Sequence, residues 1–389
     1  MALGFTMFRA GQAILRAWGK VWMPVALGLT LLLTGCSLPQ VSAESRLFLN
    51  LSTALVGSYT LPQTNFNGTA VGGFSALSYD AQQDRIYGLV DDKVNPRVYT
   101  LHLNRAAPSS TPSAITVEAV TSLQDPLKIE GSKPNATLDG EGMVLTRRGT
   151  FFIASEGNLS LKIPPRLSEF NRGDGGWRQS LPLPPQYWSF NPEGVFDLGV
   201  APNRGLESLA INAEGDRLFS ATESPLQQDA SHPYSRFLHY WIGEPEPLLI
   251  SENLYPLDVA PTGSTRHGLS DLTSIDNAGH FLSLERSYSP TTGYSAMLYQ
   301  FATGIATDTS GIRTLPPNLK GIVPILKQPL LNLADLNIPL QNLEGLSLGP
   351  RLQDGSRSLL LISDNQFDAK VPTQVLVLRL GRRLAQAKA

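Results

Sequence analysis

A short motif recurs five times along this chain at a nearly constant interval, and that period limits the fold more tightly than any single segment does. The copies begin Gly73-Phe74-Ser75-Ala76-Leu77, Gly140-Glu141-Gly142-Met143, Gly205-Leu206-Glu207-Ser208-Leu209, Gly268-Leu269-Ser270-Asp271-Leu272 and Leu343-Glu344-Gly345-Leu346. Ser75 to Glu141 is 66 residues, Glu141 to Glu207 is 66, Glu207 to Ser270 is 63 and Ser270 to Glu344 is 74. Each copy continues into a polar turn and a short apolar run, such as Arg217-Leu218-Phe219-Ser220-Ala221 or Leu359-Leu360-Leu361-Ile362-Ser363. Apolar runs of that length, bounded by Gly, Asn, Asp and Pro, read as strands joined by hairpins. The 29 prolines are scattered and leave little room for long helices. A unit of this length holds one four-stranded sheet with a long loop. The expected fold is therefore all-β, a β-propeller of five four-stranded blades. The segments 160–203 and 300–340 leave a sixth, weakly marked blade open.

The last unit is only half as long as the others. The N-terminal segment 47–61, which contains Val56-Gly57-Ser58-Tyr59-Thr60-Leu61, can supply the missing part. A ring closed by strands from both termini leaves no exposed edge. The propeller is thus expected over 47–381, with 382–389 as a tail.

The first 36 residues stand apart. They contain no Asp or Glu, carry Arg9, Arg16 and Lys20, and run apolar from Val21 to Leu33. That run is shorter than the roughly 20 residues of a spanning helix and suits a secretory leader. It ends Leu33-Thr34-Gly35-Cys36-Ser37, which has the form of a bacterial lipobox. Cys36 is the expected lipidation site and mature N-terminus, with 37–46 as a tether. A plain leader with an incidental cysteine is the alternative. The expected location is the bacterial cell envelope, in the outer membrane or periplasm if the source has two membranes, held by the lipid anchor only. Cys36 is also the single cysteine, so no intramolecular disulfide is available and the domain must be held by its core. Removing the leader leaves 28 basic against 33 acidic residues, a net charge of −5. That balance argues against nucleic acid or an anionic membrane surface as the main partner.

The open end of each hairpin carries acids: Asp91, Glu156, Glu223, Glu285 and Asp364 close the five apolar runs. Antiparallel pairing across each turn sets Glu141 beside Glu156, Glu207 beside Glu223 and Glu344 beside Asp364. It sets Ser75 opposite Asp91, and Ser270 opposite Glu285 with Asp271 next door. If the first strand of each copy is innermost, all five ends crowd one face near the axis. Carboxylates gathered in this way repel one another unless something positive neutralises them. Ca2+ suits such a site, because it takes six to eight oxygens in irregular geometry. The expected metal-binding set is Glu141, Glu156, Glu207, Glu223, Glu285, Glu344, Asp364, Asp91 and Asp271. Arg204, Arg266 and Arg286 lie in or beside the motifs, and Lys93 follows Asp91-Asp92. Of these, Arg204 and Arg286 are expected to bind a phosphorylated or otherwise anionic substrate.

A second reading gives the acids a structural task, bonding backbone N–H groups of neighbouring blades in a non-enzymatic binding or scaffolding protein. The five histidines show no metal-ligand spacing, and only His267 adjoins a motif. There is no Gly-x-Ser-x-Gly elbow, His-Glu-x-x-His, Walker loop or Rossmann glycine pattern. An ordinary serine or cysteine hydrolase is not expected.

Several segments together resemble the phytase-like domain family, whose bacterial members are labelled "esterase-like activity of phytase". They are Gly72-Gly73-Phe74-Ser75-Ala76-Leu77-Ser78-Tyr79-Asp80, Asp139-Gly140-Glu141-Gly142-Met143, Asn203-Arg204-Gly205-Leu206-Glu207-Ser208-Leu209-Ala210 and Leu284-Glu285-Arg286-Ser287. The run Asn342-Leu343-Glu344-Gly345-Leu346-Ser347-Leu348-Gly349-Pro350, with Asp354-Gly355-Ser356-Arg357 and Ser363-Asp364-Asn365-Gln366-Phe367, completes the set. They cover about 70–380. The resemblance implies a β-propeller and, by analogy with β-propeller phytases, calcium-dependent phosphoester hydrolysis with metal-bound water as the attacking group. Ser75 and Ser270-Asp271 depart from the Glu of the other copies, so the acidic ring is uneven. The chain also lacks the dense Lys and Arg set that many phosphates need, which favours a small phosphorylated substrate.

Overall fold

The structure, a computed structural model, describes residues 47–61, 63–104, 114–127, 137–191 and 193–382. The expected leader, Cys36 and the tether lie outside the described residues, as does 383–389.

The strands run in chain order β1 (Leu51–Leu61), β2 (Asn65–Phe66), β3 (Thr69–Ala70), β4 (Phe74–Asp80), β5 (Arg85–Val90), β6 (Arg97–Leu103) and β7 (Ile115–Ser122). There follow β8 (Gly140–Leu145), β9 (Thr150–Ser155), β10 (Arg166–Asn171), β11 (Trp177–Ser180), β12 (Trp188–Phe190) and β13 (Phe196–Gly199). Next come β14 (Leu206–Ile211), β15 (Arg217–Thr222), β16 (Tyr234–Trp241), β17 (Leu248–Pro256), β18 (Arg266–Ser274) and β19 (His280–Ser289). The series ends with β20 (Gly293–Ala302), β21 (Leu326–Asn332), β22 (Asn342–Arg351), β23 (Arg357–Asp364) and β24 (Thr373–Arg382).

Five antiparallel sheets of four strands result: β4–β7, β8–β11, β14–β17, β18–β21, and β22–β23–β24–β1. They form a five-bladed β-propeller. The fifth blade takes its outer strand from the N-terminus, with Leu61 paired to Thr373 and Leu51 to Arg382. Closure by both termini is as the half-length last repeat implies, although β24 ends one residue later than expected. No sixth blade forms in the described residues. The segment 160–203 holds β10, β11 and the two-stranded hairpin β12–β13, and 300–340 holds β21 with a 3-10 turn at Leu333–Leu336.

The apolar side chains form five clusters, one in each gap between neighbouring blades. Ala76, Leu89, Phe151 and Ile153 lie between the first and second blades, and Phe152, Leu167, Leu218 and Leu238 between the second and third. Phe219, Phe237, Phe281 and Phe301 fill the next gap. Leu282, Leu298, Leu346 and Leu361 fill the fourth, and Phe74, Ile86, Leu360 and Ile362 the last. The middle strands are covered on both faces, so they read as continuous apolar runs without polar alternation.

The innermost strands β4, β8, β14, β18 and β22 touch one another in ring order. Each carries a β-bulge at the same place, between 74/76, 140/142, 206/208, 269/271 and 343/345. The extra residues are Ser75, Glu141, Glu207, Ser270 and Glu344, the repeat positions read from the sequence. A bulge re-aims the residue it inserts and bends the strand. The residue that follows faces the next blade. A Cβ on Gly142 would stand 2.8 Å from the Ser208 backbone, and one on Gly345 3.0 Å from Ala76 Cα. The fourth blade has Asp271 at this place. Its carboxylate accepts the N–H of Leu346 at 2.7 Å and of its own neighbour Leu272 at 2.8 Å.

Candidate functional site

The acids at the open ends do not pair within hairpins alone; they regroup across blades. Asp91 from the first blade meets Asp139 and Glu141 from the second, with one oxygen of each within 4.8 Å of the others. Glu156 from the second blade meets Glu207 and Glu223 from the third on the same terms. Glu344 and Asp364 of the fifth blade bracket Asn342, whose amide donates to Glu344 Oε1 at 2.7 Å. Eight carboxylates thus share one mouth of the propeller.

Few direct partners balance them. Arg286, on β19, reaches Glu344 at 3.0 Å, Glu207 at 3.3 Å and Glu223 at 3.9 Å through Nη2. Lys93 holds Asp139 at 2.7 Å. Glu156 accepts the Gly205 N–H at 2.8 Å, which ties it to the start of β14. Asp91 and Asp139 face each other as a carboxyl pair that one proton can bridge, and apart from that contact Asp91 Oδ1, Asp139 Oδ1 and Arg286 Nε are buried with no hydrogen-bond partner.

Burial and mutual repulsion push these carboxyls up. Burial first, then the Asp139 charge, bring Asp91 to about 7. Burial and Asp139 also bring Glu156 to about 7. Burial brings Glu344 to about 8 against the pull of Arg286. Glu141 and Glu207 are raised well above the carboxyl range, chiefly by burial and next by neighbouring acids. Burial raises Asp139, Glu223 and Asp364 too, with Arg286, Arg204 and Arg266 opposing it at Glu223. Such a cluster demands protons or a cation to complete it. Its donors are carboxylate oxygens, the ligands of a hard divalent ion. The buried, unpartnered oxygens of Asp91 and Asp139 fit that requirement.

The profile of the phytase-like family, described as "esterase-like activity of phytase", matches residues 69–367. The chain belongs to this family. No curated protein matches it. Similar solved structures include a GH43 β-1,3-galactosidase, at TM-score 0.43 and 8% identity over 82% of this chain and 92% of that one. Another is the GH62 α-L-arabinofuranosidase catalytic domain of Coprinopsis cinerea, at TM-score 0.40 and 9% identity over 85% and 97%. A third is the N-terminal domain of Nup159, at TM-score 0.37 and 12% identity over 86% and 96%. Likenesses this distant say nothing of the activity of the phytase-like chain.

Two expected positions fall elsewhere. Glu285 pairs with Leu269, and it is the next residue, Arg286, that stands where Asp91, Glu156, Glu223 and Asp364 stand in the other blades. One residue along a strand reverses the face. Glu285 therefore turns away from the mouth toward the gap between the third and fourth blades, accepting Tyr255 Oη of β17 at 2.7 Å and the Asp258 N–H at 3.1 Å, with Lys327 of its own blade as its ion pair. Asp271 braces the inner strands as described above. Arg286, expected at a substrate, is spent on three carboxylates of the phytase-like protein itself. Arg204 lies at the rim and donates to the His267 carbonyl at 3.0 Å. His267 hydrogen-bonds Ser287 and the Asp258 carbonyl.

Asp139 was not singled out from the sequence. It directly precedes the second motif, opposite Glu156, where the first, third and fourth repeats have Gly73, Gly205 and Gly268 and the fifth has Asn342. An acid breaking a column of small residues was the available signal. A cleft of about 700 Å3 opens beside it, lined by Asp91, Asp92, Lys93, Arg97 and Phe367 among others. Arg97 is bound within the fold to Asp92 at 2.6 Å and to the Ala70 carbonyl at 2.7 Å. Lys93 is the half-exposed cation of the cleft.

Proposed function

We propose that this protein is a calcium-dependent phosphoester hydrolase acting on a small phosphorylated substrate at its acidic mouth. The observation that carries this reading is the pair of three-carboxylate groups across adjacent blades, one of them beside an open cleft with unpartnered buried oxygens. Asp91, Asp139 and Glu141 would hold one cation, and Glu156, Glu207 and Glu223 a second. A bound cation supplies neutralisation of phosphoryl charge and lowers the pKa of a coordinated water. Arg286 holds Glu207 and Glu344 in place and opposes the burial that raises their pKa values. Lys93 orients Asp139 and presents an ammonium to an anion entering the cleft, with Arg204 and Arg266 adding positive charge at the rim.

The test is hydrolysis of a panel of phosphomonoesters, phosphodiesters and carboxylic esters by the full chain, after chelation and after adding calcium back. Glu141→Gln and Glu207→Gln are expected to lower kcat/KM at least about 100-fold while the protein stays folded. A folded wild-type protein that cleaves none of these esters with any divalent ion overturns the reading. The bracing hydrogen bonds of Glu156 and Asp271 favour one other reading, a binding or scaffolding propeller without catalysis, and that same null result would support it.

We further propose that Cys36 anchors the chain in the cell envelope, from the Leu33-Thr34-Gly35-Cys36 run. Labelled fatty acid should enter the wild type and not Cys36→Ser, and equal labelling refutes the anchor.

A further inference from the structure

The acids occupy one mouth of the propeller; the turns of the inner hairpins form the other. There a larger cavity, of about 910 Å3, is lined by residues of all five blades. Its charged lining consists of Arg147, Arg172, Arg351 and Arg357 against Asp80 and Asp84. Asp80 is already committed, accepting the Gln82 and Gln83 N–H groups and holding Arg172 at 3.1 Å. Asp84 accepts the Tyr79 hydroxyl at 2.7 Å. Arg147 donates to the Ala213 carbonyl.

Arg351 and Arg357 are different. They are direct cross-strand partners at the end of the β22–β23 hairpin, and like charges facing each other across a ladder are unfavourable. The nearby turn acid, Asp354, is taken by Arg379 at 2.6 Å. Neither Arg351 nor Arg357 has an ion pair among the described residues, and Arg351 reaches only the Gly355 carbonyl, at 2.9 Å. Both side chains are solvent-exposed, and partial desolvation first, with the Arg351 charge second, pulls Arg357 below the ordinary guanidinium range.

We infer that this second mouth is an anion site, in which Arg351 and Arg357 together grip a small oxyanion of the phosphate class carrying at least two negative charges. Guanidinium forks match phosphate oxygens in pairs, and such an ion removes the repulsion between the two side chains. The lining as a whole, four arginines against two aspartates, is net positive and steers anions into the cavity. Nothing in this inference depends on hydrolysis at the acidic mouth.

Titration calorimetry of the full chain tests it, with pyrophosphate, inorganic phosphate and glycerol phosphate as probes and acetate as the monovalent control. A chelator is kept present, so that phosphate held by a cation among the acids does not contribute. Pyrophosphate should bind the wild type. Arg351→Gln and Arg357→Gln should each weaken it about 10- to 100-fold, while Glu141→Gln at the opposite mouth leaves it unchanged. Thermal denaturation supplies a second readout. Without phosphate the two arginine variants should melt at or above the wild-type temperature, and with saturating pyrophosphate below it. No heat at millimolar pyrophosphate, or equal binding by wild type and Arg357→Gln, overturns the site. Binding of glycerol phosphate as tight as pyrophosphate assigns the site to esterified phosphate; preference for pyrophosphate or phosphate assigns it to the free ion.

Discussion

The acidic mouth and the interior of the third blade both bury carboxylates, and they dispose of the charge in opposite ways. In the blade, Arg236, Asp229 and Glu252 are wholly enclosed. Arg236 donates to Asp229 Oδ2 through Nε at 2.9 Å and Nη2 at 2.7 Å, and it also pairs with Glu252. The remaining oxygens are met too. The Leu315 N–H reaches Asp229 Oδ1 at 2.8 Å, Tyr187 Oη reaches Glu252 Oε2 at 2.7 Å, and Thr309 Oγ1 reaches Glu252 Oε1 at 3.1 Å. That network is complete, and it fastens the loops around 229 and 309–315 to the blade. At the mouth, by contrast, eight carboxylates share Arg286 and Lys93 as direct cationic partners, and two buried oxygens have none. A satisfied buried network braces the fold, whereas an unsatisfied one calls for protons or a cation to complete it.

The strongest way to break this comparison is Arg236→Met. It strands two buried carboxylates and should cost about 3–5 kcal/mol in denaturant unfolding. A loss below about 1 kcal/mol would show that the network does not brace the blade. The same measurement on Glu207→Gln in chelator should show no loss, or a gain, because one strained carboxyl is removed.

The next effect concerns pH and calcium together. The raised values of about 7 for Asp91 and Glu156 and about 8 for Glu344 exceed those of an unfolded chain. Between pH values of about 4 and about 8 the native state therefore holds more protons than the unfolded state. In chelator, stability should fall as pH rises through that window. If calcium binds the acids as proposed, it takes the place of those protons, and its stabilisation should grow with pH, reaching about 2.7 kcal/mol at a hundredfold excess over Kd. Thermal melts from pH 5 to pH 8, with and without calcium, check this. A calcium effect that shrinks with rising pH would remove the cation from the acid cluster.

The smallest effect sharpens the boundary between the two kinds of acid. Asp271→Asn sets an amide group against a backbone N–H and should cost about 1–3 kcal/mol, with the calcium response unaltered. A lost calcium response would transfer Asp271 from the bracing set to the mouth.

Much of this was readable beforehand. The bulged positions Ser75, Glu141, Glu207, Ser270 and Glu344 repeat because each blade needs the same inner strand, and that need writes a period into the chain. Closure by the N-terminal segment 47–61, of which Leu51–Leu61 form the strand, followed from a last repeat too short to complete a sheet. The slip at Glu285 has an equally physical source. Choosing the acid in Leu284-Glu285-Arg286 follows residue type, whereas the hairpin register counts one more residue before the chain emerges at the mouth. Asp271 escaped for a related reason, because the bulge turns position 270 to the axis and position 271 to the next blade.

Period, apolar runs and turn residues specified the propeller and the concentration of acids at one end, since these arise from local strand pairing and burial. Which carboxylates stand together was set by packing between blades. Asp91 joins Asp139 and Glu141, and Glu156 joins Glu207 and Glu223, because neighbouring inner strands approach closely at their bulges. The facing arginines at the opposite mouth likewise become a site only when five hairpin turns enclose one cavity. Contacts between segments roughly fifty or more residues apart leave no local trace in the chain, and it is in those contacts that the acidic mouth acquires its chemistry.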